Sequence, residues 1–197
     1  MTVPSLSLTV TSVHPVAMGR ARATPRRFVK VATIGDSHMV RASEWFGPNR
    51  IPGVRVKHFG KGGAKLSTYL DDVVIPKVLR KYKPDIIFIW IGSNNVQEGY
   101  DRFQVLRMFR RYYDLCKREN IQCFTLALPN RYTGYEDYNR ESKAINRTLR
   151  RWQKDHFIQL PEFVYERWGY KRDGVHLKYY LYDHISMLIK EIIWSLF

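Results

Sequence analysis

Short apolar segments alternate with longer amphipathic segments from residue 28 to the end of the chain. The apolar segments are rich in β-branched and aromatic residues, which predicts five strands: FVKVATIG, VRVKHFG, PDIIFIWIG, IQCFTLALP and FIQL. The segments between and after them have helical periodicity, which predicts helices over about 37–46, 66–82, 100–119, 137–155 and 179–194. We expect Pro76 to interrupt the second helix, because proline lacks the backbone N–H and clashes with the preceding turn.

The order of these elements predicts the fold class. Strands that alternate with helices form a parallel sheet with helices on both faces. We therefore expect an α/β fold of three layers (α/β/α), with a flavodoxin-like parallel sheet of about five strands. The 197 residues suffice for one such domain. We place the domain at 28–197, after a disordered basic tail at 1–27 that contains GRARATPRR.

Three features of the chain bear on its location. No apolar run reaches the ~18 residues that a membrane span requires, and the N-terminus lacks the early basic region of a signal peptide. Two cysteines, Cys116 and Cys123, are too few for a disulfide framework, and we expect both to be buried and reduced. Together these features favour a cytoplasmic protein.

Polar and glycine-rich motifs follow the first three predicted strands. GDS follows the first strand, GKGGA the second and GSNN the third. The carboxyl ends of parallel strands meet at one edge of a sheet, and such sheets bind ligands there. We therefore expect the three motifs to lie close together. A fourth motif, DGVH, lies shortly before the last helix.

The residues of these motifs could form a serine hydrolase site. Ser37 can be the nucleophile, His176 can accept its proton, and Asp173 can hold the imidazole in the required tautomer. The backbone N–H groups of Ser37 and Gly63 and the side-chain amide of Asn94 can donate to an oxyanion. Taken alone, Ser37 could simply cap the following helix, as serine often does.

The four motifs, in this order, resemble the conserved blocks of the SGNH (GDSL-type) hydrolases. GDS matches the first block, GKGGA the second, IGSNN the third and DGVH the last. The resemblance extends over essentially the whole chain from residue 28. It implies the SGNH hydrolase fold and the same five site residues: Ser37, Gly63, Asn94, Asp173 and His176.

The resemblance also implies an activity, namely serine ester hydrolysis through an acyl-enzyme without a cofactor. We expect a small-molecule, lipid or carbohydrate ester with a short acyl group such as acetyl, because nothing in the sequence suggests a long lipid-binding lid. WIGSNN is similar to the platelet-activating-factor acetylhydrolase branch, and GDSH to compact esterase domains beside retroelement reading frames, but neither assigns a substrate. The third block often ends in Asp, whereas Asn95 stands here and is expected to support the loop.

Three other ligand-binding or catalytic motifs are excluded, because each has an unsuitable residue at a required position. FGKGGAKLST fails the dinucleotide fingerprint at Lys65 and the Walker pattern at Leu66, and Met39 breaks the nucleophile elbow of the α/β-hydrolases. Asp36 is expected to be a buried residue of the turn without a chemical step, whereas His38 could line the pocket or lie on the surface. The remaining histidines have no metal-ligand spacing, so we predict no metal: His14, His58, His156 and His184.

The chain has a net charge of +15, which either keeps it in solution or attracts an anionic partner. One predicted helix has a basic face whose only acids are Glu141 and Asp155, opposite an apolar face of Ile145, Leu149 and Trp152. Its candidate polyanion-binding residues are Arg140, Lys143, Arg147, Arg150, Arg151 and Lys154. The alternative function is therefore an SGNH-like module that binds RNA through this face. Catalysis is favoured because all five catalytic positions carry competent residues.

Overall fold

A five-stranded parallel sheet forms the centre of the protein. The computed structural model describes residues 28–46, 51–132 and 134–197, so the predicted tail at 1–27 lies outside the described residues and stays a prediction. The strands run in the order β2-β1-β3-β4-β5. Their bounds are β1 Val29–Gly35, β2 Val54–Gly60, β3 Ile86–Trp90, β4 Gln122–Leu126 and β5 Phe157–Ile158. This order confirms the predicted α/β class with a flavodoxin-like sheet.

Helices cover both faces of the sheet. The connection through the first helix runs from β1 to the edge strand β2, whereas the later connections cross the sheet in the opposite direction. Because parallel crossovers are right-handed, the first helix lies on one face and the following helices on the other. The last helix packs against the first. The α-helices are α1 Ser37–Ser43, α2 Leu66–Tyr69, α3 Ser93–Gln97, α4 Arg102–Arg118, α5 Glu136–Gln153 and α6 Tyr179–Ser195.

The helix that contains Pro76 is widened and not interrupted. A π-helical segment, Leu70–Tyr82, continues directly from α2 and includes Pro76. A π-helix hydrogen-bonds five residues back instead of four, so the carbonyl that a proline ring would meet in an α-helix is displaced. The predicted break at Pro76 is therefore wrong, although the overall helical span of 66–82 is confirmed.

The core is continuous through the sheet and both helical layers. Every residue of β3 is buried, as its unbroken apolar sequence predicts for a central strand. Cys116 and Cys123 are buried and unpaired, which confirms that expectation. In the described ranges, no helix is both long and apolar enough to cross a membrane.

One predicted core residue of α5 is exposed. Ile145 and Leu149 are fully buried as expected, but Trp152 is 44% exposed. The buried stripe continues from Leu149 to Gln153, because residues four apart lie nearly above one another on a helix. Trp152 therefore lies beside this stripe, next to the basic face, and its assignment to the core is wrong.

Candidate active site

Ser37 is the first residue of α1, directly after β1. The preceding residue, Asp36, caps this helix through its side chain, whose Oδ1 accepts a hydrogen bond from the His38 N–H at 2.9 Å. Ser37 is therefore not the capping residue. Its Oγ lies 3.0 Å from His176 Nε2, although 139 residues separate the two in the chain.

A short loop before α6 carries Asp173 and His176. Antiparallel contacts close this loop, since Tyr170 pairs with Leu177 and the Lys171 N–H donates to the His176 carbonyl at 2.7 Å. Gly174 lies at its tip with φ +64°, and a Cβ there would collide with the Tyr132 carbonyl oxygen. The loop thus depends on a glycine in the left-handed region that is packed against a second loop.

The Asp173 carboxylate holds the imidazole of His176. Asp173 Oδ2 lies 2.8 Å from His176 Nδ1, and Asp173 Oδ1 accepts the N–H groups of Val175 and His176 at 2.9 Å each. Partial burial alone would raise the pKa of Asp173, but these hydrogen bonds outweigh it and lower the pKa to about 2. Because the ionised carboxylate can only accept, Nδ1 is the donor, and Nε2 presents its lone pair to Ser37.

His38 lies behind the site and is buried. Its Nδ1 lies 3.0 Å from the Tyr182 hydroxyl, which also accepts the Leu177 N–H at 3.2 Å. Burial, followed by His176 when it is protonated and by the charge of Arg131, lowers the pKa of His38 to about 3. The surface alternative for His38 is wrong: the ring is a neutral support beside His176, with the ring centroids 5.7 Å apart.

The candidate oxyanion donors lie on loops that are tied together at one sheet edge. The Lys61 N–H donates to the Gly35 carbonyl at 3.0 Å, and Asn94 Nδ2 donates to the Ala64 carbonyl at 3.0 Å. Gly63 lies in the turn between them with φ +71°. The Ser37 N–H has no acceptor within its helix, because the first N–H groups of a helix have no partner there. The second N–H of the Asn94 amide is not used by Ala64.

Asn95 supports the loop, as the sequence predicts. Its side chain is fully buried, and Oδ1 accepts the Leu66 N–H at the start of α2 at 2.8 Å. The adjacent asparagines thus face in different directions. Asn94 contacts the loop after β2, whereas Asn95 holds the helix that follows that loop.

Arg131 was missed by sequence reasoning. It is 5% exposed, and its Nη1 donates to Gln97 Oε1 at 2.6 Å, while its Nη2 lies 3.4 Å from Asn94 Oδ1. The guanidinium also lies over the Tyr138 ring, 4.6 Å from its centroid. One sequence signal could have found it, since Arg131 follows β4 at the sheet edge where the other site motifs lie.

The five basic residues of α5 and Lys154, which directly follows the helix, are all exposed, as predicted. Arg140 forms ion pairs with Asp137 and Glu141, so Asp137 is a further acid beside this face and the expectation of only two acids is wrong. Within the described part of the chain, no hydrogen bond or ion pair joins the six basic residues to the Ser37 site. In the same described ranges, no three His, Cys, Asp or Glu side chains converge to form a metal site.

Several solved structures share this fold. The chain is similar to the acetyl xylan esterase AlAXEase (18% identity, TM-score 0.66, 84% of this chain and 100% of that chain). It is similar to a GDSL-like lipase from Bacteroides thetaiotaomicron (20% identity, TM-score 0.64, 85% and 89%). It is also similar to a catalytic mutant of an acetylxylan esterase from Geobacillus stearothermophilus (15% identity, TM-score 0.65, 85% and 94%). No protein-family model and no curated protein sequence matches the chain.

These likenesses define the class of fold. The matched structures cover most of this chain and most of their own length, at identities of 20% or less. The chain therefore has the SGNH (GDSL-type) hydrolase fold, as the resemblance of its four motifs implied.

Proposed function

We propose that the protein is a serine ester hydrolase of the SGNH type. The observation that carries the proposal is the continuous hydrogen-bonded chain from Ser37 Oγ to His176 Nε2 at 3.0 Å and from His176 Nδ1 to Asp173 Oδ2 at 2.8 Å. A nucleophile, a base within hydrogen-bond reach and a group that orients the base are the parts that acyl transfer requires. The esterases and lipase among the structural relatives support the same reaction class.

In the first half-reaction, Ser37 Oγ attacks the ester carbonyl carbon while its proton passes to His176 Nε2. Asp173 stabilises the resulting imidazolium through the Nδ1–H, because its lowered pKa keeps it ionised. The tetrahedral intermediate collapses as His176 gives the proton to the departing alkoxide oxygen. The products of this half-reaction are the free alcohol and an acyl ester on Ser37.

In the second half-reaction, water replaces the alcohol. His176 takes a proton from the water as its oxygen attacks the acyl carbon, and then returns that proton to Ser37 Oγ when the acid leaves. In both halves, the Ser37 N–H, the Gly63 N–H and the free N–H of the Asn94 amide stabilise the oxyanion. The protein's own residues supply each proton transfer.

We further propose a short acyl group, such as acetyl, as the preferred acyl half of the substrate. Acetyl is the group named for two of the structural relatives, both acetyl xylan esterases. Hydrolysis of nitrophenyl acetate compared with nitrophenyl esters of longer acids tests this preference. A higher kcat/KM for a long-chain ester would contradict it.

Replacing the nucleophile tests the proposed reaction. Ser37→Ala should lower the rate of ester hydrolysis on the order of 10⁴–10⁶-fold and abolish labelling by a fluorophosphonate, while the unfolding midpoint stays unchanged. Ser43→Ala is a matched control at the other end of α1, where Ser43 Oγ donates only to the Val40 carbonyl. Undiminished turnover in Ser37→Ala would contradict the assignment.

A second candidate function is the binding of a polyanion such as RNA by the basic face of α5. Five of the six candidate basic residues form no ion pair with another described residue, which leaves their charge available: Lys143, Arg147, Arg150, Arg151 and Lys154. Trp152, 44% exposed, lies beside this face and offers a ring on which a base could stack. Retention of RNA at low salt that weakens steeply as salt rises would support this function.

A further inference from the structure

We propose that Arg131 is a positioning residue that orients and polarises the Asn94 amide, making it a stronger oxyanion donor. The inference rests on the proposed esterase function. It assigns a role to a buried cation that lies outside the four sequence motifs.

Arg131 is a buried charge without a carboxylate partner in ion-pair contact among the described residues. Its side-chain hydrogen-bond partners among the described residues are neutral acceptors, and it lies over aromatic faces, while its charge also acts on the buried Asp36. Nη1 donates to Gln97 Oε1 at 2.6 Å, and the guanidinium lies 4.6 Å from the Tyr138 ring centroid and 5.6 Å from that of Tyr135. The Nε of Arg131 is buried and has no hydrogen-bond partner among the residues that the structure describes. The charge is therefore held in place without being neutralised, so its field acts on nearby groups.

On the site side, Arg131 contacts the Asn94 amide. Arg131 Nη2 lies 3.4 Å from Asn94 Oδ1, while Asn94 Nδ2 faces the opposite way and donates to the Ala64 carbonyl at 3.0 Å. A guanidinium can only donate, so it favours the amide orientation that presents oxygen to it and opposes the flipped one. Arg131 thus directs both N–H groups of Asn94 toward the loop after β2, where Gly63 lies.

The same contact polarises the amide. A separation of 3.4 Å is long for a hydrogen bond, so the interaction is mainly electrostatic. A positive charge beside the amide oxygen draws electron density from the nitrogen and makes its N–H groups better donors to developing negative charge. This effect is larger in a buried site than in water.

The charge of Arg131 also acts on the two residues that flank Ser37, Asp36 and His38. Burial raises the pKa of Asp36, and the positive charge of Arg131 acts against that rise. Burial lowers the pKa of His38, and Arg131 lowers it further. Asp36 and His38 support the turn that carries Ser37 and take no part in the proposed proton transfers, so we expect the effect of Arg131 on kcat to run through Asn94.

The test is a double-mutant cycle between Arg131 and Asn94. Arg131→Met removes the charge and keeps an apolar stem, and Arg131→Lys keeps the charge without the guanidinium. If Arg131 acts through Asn94, Arg131→Met should lower kcat about 10- to 100-fold with little change in KM, less than the loss of the whole donor. In an Asn94→Ala background, the same change should lower kcat no further. Arg131→Lys should lower kcat less than Arg131→Met does. In the Asn94→Ala background, Arg131→Lys should not lower kcat further.

Arg110→Met is the matched control, because Arg110 is exposed and, in the described ranges, forms an ion pair only with Asp114 of its own helix. It should leave kcat, KM and the unfolding midpoint unchanged. Multiplicative losses in the double mutants, or an effect of Arg131→Lys on KM alone, would overturn the inference while leaving the esterase assignment intact. If Arg131→Met does not fold, the Arg131→Lys cycle decides. A wild-type protein without ester turnover and without phosphonate labelling at Ser37 would instead contradict the proposed function.

Discussion

At the residue scale, Asn94 and Asn95 are neighbours in the chain with different surroundings. Asn94→Ala should lower kcat about 10²–10³-fold, the usual effect of one lost oxyanion donor, with the fold intact. Asn95→Ala should instead lower the free energy of unfolding by about 1–3 kcal/mol, because it leaves the Leu66 N–H buried without its acceptor. Steady-state kinetics and denaturant titrations of both variants separate the two effects.

The same pair of variants checks the alignment of the third motif. A loss of kcat that is larger in a fully folded Asn95→Ala than in Asn94→Ala would mean that the donor has been assigned one residue too early. A change confined to KM in Asn94→Ala would mean that this side chain binds substrate without stabilising the transition state.

Asp36 should make the stability of the protein depend on pH. Burial raises the pKa of Asp36 to about 7, although the hydrogen bond from His38 and the charge of Arg131 oppose the rise. The folded state therefore retains a proton at Asp36 that the unfolded state has lost between about pH 4 and 7, so the contribution of Asp36 to stability falls as pH rises through this window. His38, whose pKa burial lowers to about 3, contributes the opposite trend below its ordinary pKa, so the two contributions partly cancel in the wild type. A rise of roughly three pKa units corresponds to about 4 kcal/mol. Asp36→Asn keeps an acceptor for the His38 N–H and removes the titration.

Denaturant titrations at pH 4.5 and pH 8 test this expectation. The Asp36→Asn variant should be more stable than the wild type at the higher pH. Its stability should rise with pH relative to that of the wild type, because the opposing titration of His38 remains. Asp173 has the opposite effect at lower pH. Its pKa is lowered in the folded state, so the ionised carboxylate contributes stability that is lost as pH falls toward about 2. Asp114→Asn, at an exposed position, is the control. Parallel pH profiles for wild type and Asp36→Asn would refute a raised pKa.

At the element scale, the loop of Asp173 and His176 depends on its glycine. Gly174→Ala places a Cβ in the left-handed region and against the Tyr132 carbonyl, so we expect a loss of about 1–3 kcal/mol in stability and a displaced imidazole. kcat should fall at temperatures where the variant is fully folded. Gly53→Ala is the matched control, because Gly53 has φ +74° but open space around the added Cβ. Equal effects of the two substitutions on kcat would show that loop geometry does not govern the site.

At the scale of the whole molecule, the net charge of +15 does not identify the surface that would bind a polyanion. We expect the triple variant Arg147→Glu, Arg150→Glu and Arg151→Glu to weaken RNA retention and to reduce the salt slope by roughly one per residue removed. Ester hydrolysis should not change. Filter binding at two salt concentrations measures both quantities.

The control carries the same change in charge on another helix. Lys77→Glu, Arg80→Glu and Lys81→Glu reverse three exposed charges on the π-helical segment Leu70–Tyr82. Equal weakening by both triple variants would mean that net charge, and not the α5 face, governs binding. Absence of RNA retention by the wild type at low salt would leave the charge as a solubility feature.

The sequence by itself determined the order of strands and helices and the positions of the four motifs. Alternation of short apolar runs with helical periodicity is a local pattern, so it predicted the parallel sheet and the helical layers. Motifs at three strand ends predicted that Ser37, Gly63 and Asn94 lie at one sheet edge, because strand direction fixes that placement. Cysteine burial followed from the same elements.

Only the tertiary structure decided the contacts between distant segments. Sequence periodicity did not reveal that Asp36 caps α1, that Trp152 lies outside the buried stripe or that the helix widens at Pro76. It also did not reveal Arg131, since a single arginine after a strand has no periodic signal and its contact with Asn94 spans 37 residues. The physical reason is that helix and strand patterns record interactions a few residues apart, whereas burial, hydrogen-bond partners and electrostatic fields are set by segments that meet only when the sheet assembles.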